Sequence, residues 1–128
     1  MCYYEAKQTI NDIFSLQKGK KMKQIRVEAV LKNMESLNLS QILITDPLAI
    51  FYLTGRMIEP FERFYALYLN QNGNHKIFIN QLETVPEDLG VEKVRFTDSD
   101  SYMDLVIKTT DHTEPLGIDK NMPARFLL

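Results

Sequence analysis

The sequence predicts an α/β domain: a mixed sheet of about five strands with helices on both faces. Three observations carry that reading. Ile42-Leu43-Ile44 is an apolar run without polar alternation, followed at once by the helix-starting pair Asp46-Pro47. A strand that is apolar on both sides belongs inside a sheet covered on both faces. Upstream, Val27, Val30, Leu31, Met34 and Leu37 recur at the spacing of one helical face, while Lys23, Arg26, Glu28, Lys32 and Glu35 take the other side. Downstream, the β-rich runs 64–69 and 76–79 flank Asn70-Gln71-Asn72-Gly73-Asn74, which offers Asn72-Gly73 as positive-φ turn residues for an antiparallel hairpin.

Residues 1–21 read as an extension outside the domain, with Ile10, Ile13, Phe14 and Leu16 at roughly helical spacing. The domain proper is expected over 22–128. Its first helix ends at Asn38, a residue tolerant of left-handed backbone, and Glu28 and Lys32 sit one turn apart. After the apolar strand, Asp46 caps a two-turn helix that Pro47 opens and Gly55 closes, with Leu48, Phe51 and Tyr52 on one face. Residues 56–63 have no period and contain Pro60, so they form a loop. Beyond the hairpin, 81–89 reads as a short helix closed by Gly90, 91–96 as a strand, and Thr97-Asp98-Ser99-Asp100 as a capping cluster. Tyr102, Leu105 and Val106 give the next helix its apolar side, which Glu114-Pro115 breaks before a last strand at 116–118. Phe126-Leu127-Leu128 looks like the opening of an apolar helix, so more chain is expected to follow. The alternative is that these side chains pack back on the domain.

At 128 residues and 45% hydrophobic composition, the chain suits one domain able to bury roughly two-thirds of its unfolded surface. A net charge of −2 offers no basic surface for a phosphate backbone, so nucleic acid is excluded as a partner. No apolar run approaches the ~20 residues of a membrane span, which excludes a membrane role. The single cysteine, Cys2, cannot form an internal bridge. With no apolar leader at the N-terminus, a cytoplasmic location is expected.

Motifs of chemistry are missing. The two histidines, His75 and His112, lack metal-ligand spacing and read as solvated loop residues. Asp98, Asp100 and Asp104 suit a helix start better than a metal site. No nucleophile elbow, phosphate loop or dinucleotide fingerprint occurs, and all five glycines are isolated.

Thr45-Asp46-Pro47 after an apolar strand, then Tyr52-Leu53-Thr54-Gly55, then Glu59-Pro60-Phe61-Glu62-Arg63 and an apolar hairpin form a longer pattern. It resembles the N-terminal domain of the creatinase/prolidase family, most closely the bacterial Xaa-Pro dipeptidases. The resemblance covers residues 22–128 and implies a ribonuclease H-like fold. It implies a non-catalytic part of an enzyme that hydrolyses the bond before proline. In that family the general base and the ligands of two divalent ions, manganese or cobalt, lie in a C-terminal metallopeptidase domain of pita-bread fold. That domain is not among these residues, so the chain alone is expected to have no catalytic residue, cofactor or peptidase activity. The partners implied are its own catalytic domain, a second copy in a homodimer, and short proline-containing peptides.

In such dimers the loop reaches over the other subunit's active site. Carried over residue by residue, this makes Glu59, Phe61, Glu62 and Arg63 the substrate-pocket candidates. Two departures bear on substrate preference: Arg56 follows Gly55 where an apolar residue is common, and Phe61 stands where His can occur. Arg63 either meets substrate or forms a salt bridge with Glu59 or Glu62 that shapes the loop. A reading from another class is a stand-alone peptide- or protein-binding module of the same fold. A reading frame continuing past Leu128 into two Asp, one His and two Glu ligands would separate the two.

Overall fold

The computed structural model describes residues 22–85 and 88–126. Helix α1 (Gln24–Ser36), β1 (Gln41–Ile44) and α2 (Pro47–Thr54) lead into the hairpin β2 (Ala66–Asn70) and β3 (Lys76–Asn80). Strand β4 (Glu92–Phe96), helix α3 (Tyr102–Thr109), β5 (Leu116–Ile118) and a 3-10 turn at Ala124–Phe126 complete the order. The five strands make one mixed sheet, β4-β3-β2-β1-β5. β2 runs antiparallel to both neighbours, β1 and β3, while β1 with β5 and β3 with β4 are parallel.

The unbroken apolar runs of β1 and β2 now have their reason. Ile42 and Ile44 join Val27, Ile50 and Leu53 under α1 and α2. Leu43 points the other way and packs with Phe64, Tyr68, Phe78 and Val106, beneath α3. Helix α2 is framed as its sequence requires. The Asp46 carboxylate accepts from Leu48 N at 3.1 Å, Pro47 takes the first turn, and Gly55 closes the helix at φ 80. Asn38 likewise takes a left-handed φ of 58 after α1.

Several local expectations give way. Leu37 is not on the buried stripe of α1; it is the exposed C-cap, one step beyond the packed face. On α2 the buried residues are Ile50, Leu53 and Thr54, and the trio Leu48, Phe51 and Tyr52 is exposed. Every residue from Leu48 to Leu53 is apolar, so no polar stripe could mark which side faces inward. Tyr52 stays exposed with Arg26 over one face of its ring, the guanidinium 4.3 Å from the centroid and donating to Tyr52 O at 2.7 Å. Only Gly73 of the hairpin turn has positive φ; Asn72 uses its side chain to accept from Asn74 N at 2.8 Å. Glu28 meets Gln24 at 3.5 Å, which is no more than a surface contact.

The described residues of 81–89 form turns and no helix: Asn80 Oδ1 accepts from Leu82 N at 2.9 Å and ties the chain into a turn as it leaves β3. Helix α3 ends at Thr109, before Glu114-Pro115. Phe126 packs back on the domain, edge-on to Phe64 at 5.1 Å. The extension 1–21 and the pair 127–128 lie outside the described residues.

One buried amide ties this topology together. Gln41, 0% exposed, donates from Nε2 to Asp111 O (2.7 Å) and Glu114 O (3.1 Å). Its Oε1 accepts from Tyr68 OH (2.7 Å) and Asp111 N (2.9 Å). Gln41→Leu keeps the volume and strands all four partners, so it should destabilise the domain by about 2–4 kcal/mol. Urea unfolding followed by circular dichroism measures this, and an unchanged midpoint would show that the network contributes nothing.

Candidate functional site

Between α2 and β2 the chain crosses the end of the sheet through residues 55–65. Ile58 and Pro60 are buried and anchor the segment, while Glu59, Phe61 and Glu62 are exposed. Arg63 N donates to Pro60 O at 3.0 Å, closing a tight turn. At its tip Phe61 is held at φ 54 and is 77% exposed. Left-handed backbone is unusual for a bulky side chain and destabilises by roughly 1–3 kcal/mol, so such a residue is retained where its surroundings over-determine it. Here Glu59 Oε1 accepts from Phe61 N at 3.4 Å, and Arg125 donates to Phe61 O at 3.5 Å.

Arg63 does not pair with Glu59 or Glu62. Its Nε lies 3.3 Å from Asp98 Oδ1, across the sheet end. The same oxygen accepts from Asn80 Nδ2 at 2.7 Å, and Asn80 is itself buried at the end of β3. A strand terminus, a turn carboxylate and a loop guanidinium are thereby locked in series. The two donors, Asn80 foremost and then Arg63, hold the Asp98 carboxyl below the usual carboxylate range.

Two hollows flank the turn. The larger, about 650 Å³, is lined by Phe61, Glu62, the adjacent pair Arg63 and Asp98, Asp100 and Tyr102. The smaller, about 120 Å³, contains Glu59 and Asp46 with Asn121 and Arg125. Phe61 and Arg63 border both. The structure therefore brings Phe61, Glu62 and Arg63 to one cleft and places Glu59 on the far side of the turn. Tyr102 stacks on Phe64 at 4.6 Å with an interplanar angle of 8°, which makes a stiff aromatic wall.

Asp98, Asn80 and Tyr102 were not among the sequence candidates. The sequence places Asp98 in a capping cluster, but Ser101 is the N-cap of α3, its Oγ accepting from Asp104 N at 3.4 Å. Asp100 accepts from Thr97 N and Oγ1 at 2.7 and 3.0 Å. A helix has one N-cap, and the five cap-type residues from Thr97 to Ser101 before it are a surplus that could flag Asp98.

Among the described residues, no three His, Cys, Asp or Glu side chains converge on a point able to hold a metal ion. His75 is not simply solvated. It is half-buried, its Nδ1 accepts from Asn70 N at 3.2 Å, and burial lowers its pKa. His112 is exposed with Nε2 2.6 Å from Ile107 O. No described helix is long and apolar enough to cross a membrane.

A family model described as the Creatinase/Prolidase N-terminal domain matches residues 26–128. An uncharacterized peptidase of Staphylococcus saprophyticus is 37% identical over 71 residues, 56% of this chain and 18% of that protein. The chain spans less than a quarter of the length of the curated relatives it matches. Among solved structures, a domain of a dipeptidase from Streptococcus thermophilus superposes with a TM-score of 0.69 at 19% identity, over 79% of this chain and 80% of that one. The dipeptidase PepE of Mycobacterium ulcerans superposes with a TM-score of 0.69 at 26% identity, over 84% of this chain and 30% of that one.

The depressed Asp98 carboxyl gives a sign that can be checked. A folded-state pKa below the unfolded value contributes stability above the ordinary aspartate pKa, and that contribution is lost as pH falls through the folded value. Carboxyl-detected NMR titration should show Asp98 protonating below the ordinary 3.8. Asn80→Ala should move the midpoint up further than Arg63→Gln. An ordinary midpoint in the native chain would mean that the Asn80–Asp98–Arg63 series does not persist in solution.

Proposed function

Since the chain belongs to the creatinase/prolidase N-terminal domain family, we propose that it is the non-catalytic N-terminal domain of a cytoplasmic, metal-dependent Xaa-Pro dipeptidase. In this reading the domain serves dimerisation and completes the substrate pocket of the partner subunit. Its own catalytic domain, a second copy and short proline-containing peptides are its partners. The observation that carries it is the turn at Phe61. An aromatic side chain held out at positive φ, beside a guanidinium fixed from behind by Asp98, is built to meet something outside the chain. Large apolar side chains in the same region, Leu48, Phe51, Tyr52 and Met57, are also exposed, as expected of a surface that docks.

Two divalent ions, manganese or cobalt, belong to the parent enzyme in this reading. The residues described here do not fit them. Asp98 Oδ1 is engaged by Asn80 and Arg63, Asp100 Oδ2 by Thr97, and no third ligand joins them. No chemical step is therefore assigned to this chain, whose part is recognition. A guanidinium suits the planar carboxylate that ends a dipeptide, and Glu59, across the turn in the smaller hollow that Arg63 also borders, offers an acceptor for its amine.

In the full-length parent, Arg63→Ala or Glu59→Gln should lower kcat/KM on Xaa-Pro dipeptides by roughly one to two orders of magnitude, the loss of a charge-assisted hydrogen bond. Longer peptides, whose termini lie elsewhere, should be affected less. Unchanged kcat/KM in folded dimers of both variants would reduce the turn to scaffold.

A further inference from the structure

The cleft beside Phe61 has a composition that the pocket-completion role does not require. Its volume of about 650 Å³ falls in the range of small-molecule sites. Arg63 and Asp98 stand side by side in its wall, with side chains 39% and 61% exposed. Their mutual contact uses Nε of one and Oδ1 of the other. The terminal fork of the guanidinium and the second carboxylate oxygen are the edges left for a ligand. Glu62 and Asp100 also border the cleft, so carboxylates outnumber the single cation there and a bare anion is disfavoured. A ligand must bring a positive group to Asp98 if it is to bring a negative one to Arg63. The remaining wall is aromatic: Phe61 at the rim, Phe96 within, and Tyr102 fixed by its stack on Phe64.

We propose that this cleft binds the α-ammonium and α-carboxylate of an apolar amino acid, with Asp98 holding the ammonium, Arg63 the carboxylate, and the aromatic wall the side chain. The proposal rests on Arg63 being a recognition residue, as in the pocket reading, and deepens it. It makes Asp98 the partner charge and confines the site to this one chain. Binding then needs neither a catalytic domain nor a second subunit. Asn80, almost wholly buried at the cleft's base, acts as a positioning residue through its bond to Asp98.

The test uses the 128-residue chain, L-phenylalanine as probe, and amide chemical shifts as readout. Saturable shifts are expected at Thr97, Asp98 and Tyr102. N-acetyl-L-phenylalanine, which lacks the ammonium, should bind about tenfold or more weaker, and so should L-phenylalanine to Asp98→Asn, each removing one charge-assisted bond. Combining the acetylated ligand with the variant should add little further loss, because both remove the same contact. L-phenylalaninamide and Arg63→Gln form the matching pair for the carboxylate.

Absence of saturable binding overturns the proposal, and so does equal binding of neutral N-acetyl-L-phenylalaninamide, which would reduce the cleft to an apolar contact. If the chain binds phenylalanine while Arg63→Ala leaves the parent's kcat/KM unchanged, the cleft stands and the pocket role falls. If the variant loses activity but the chain binds no amino acid, the cleft falls and the pocket role stands.

Discussion

The amide of Gln41 is the constraint on which the rest of the domain depends. It sits where β1 passes between its antiparallel neighbour β2 and its parallel neighbour β5, and it bonds to both sides. Tyr68 reaches it from β2, and the backbone of residues 111–114 reaches it from the approach to β5. A buried amide with all its bonds met contributes modestly, but one left open is heavily penalised. The geometry of three chain segments is thereby coupled. Asp119 makes a second polar tie just past the other end of β1, its Oδ1 accepting from both the amide and the hydroxyl of Thr45 at 2.9 Å. The start of α2 is tied to the C-terminal segment by the Thr45–Asp119 bonds and by Asn121 Nδ2, which donates to Asp46 Oδ2 at 3.2 Å.

The second organising contact, at Asp98, does for the loop what Gln41 does for the sheet. A loop over the end of a sheet has few apolar contacts to hold it, and its position is usually soft. Here the buried Asn80 carries rigidity from β3 to Asp98, and Asp98 carries it to Arg63. Pro60 and Ile58 pin the near side, and Arg125 bonds the Phe61 carbonyl from the C-terminal turn. The exposed aromatic at the tip is consequently held by groups from three separate parts of the chain. Such over-determination sustains a positive φ at a phenylalanine.

The fold was legible because its signals are local and agree with one another. The apolar β1, the Asp46-Pro47 start, the Gly55 stop and the turn between β2 and β3 each name their structure without knowledge of the rest. The faces of α2 were not legible, since a helix apolar all round carries no orientation in its own sequence, and only the sheet decides what it buries. Residues 81–85 and 88–89 are illegible for a related reason: the Asn80 side chain accepts from Leu82 N and turns the chain as it leaves β3. At the site, the loop could be picked out from its charges, but the partner of Arg63 could not. Asp98 lies 35 positions away, and although the surplus of cap-type residues around it marks a carboxylate available for another role, nothing local names the distant guanidinium that it serves.

The mixed sheet also implies an order of assembly. β2 and β3 meet across a short turn, so their pairing closes a small loop and can nucleate early. The parallel edges must wait for crossovers, and β5 must travel from the far end of the chain to lie against β1. Until it arrives, Gln41 lacks the carbonyls of Asp111 and Glu114 and the amide of Asp111. An intermediate with β1 paired but β5 absent must therefore either hydrate that amide or leave it unmet in an apolar setting. Docking of β5 is thus what completes the bonds of the Gln41 amide, so pairing at this edge and drying of that amide are linked.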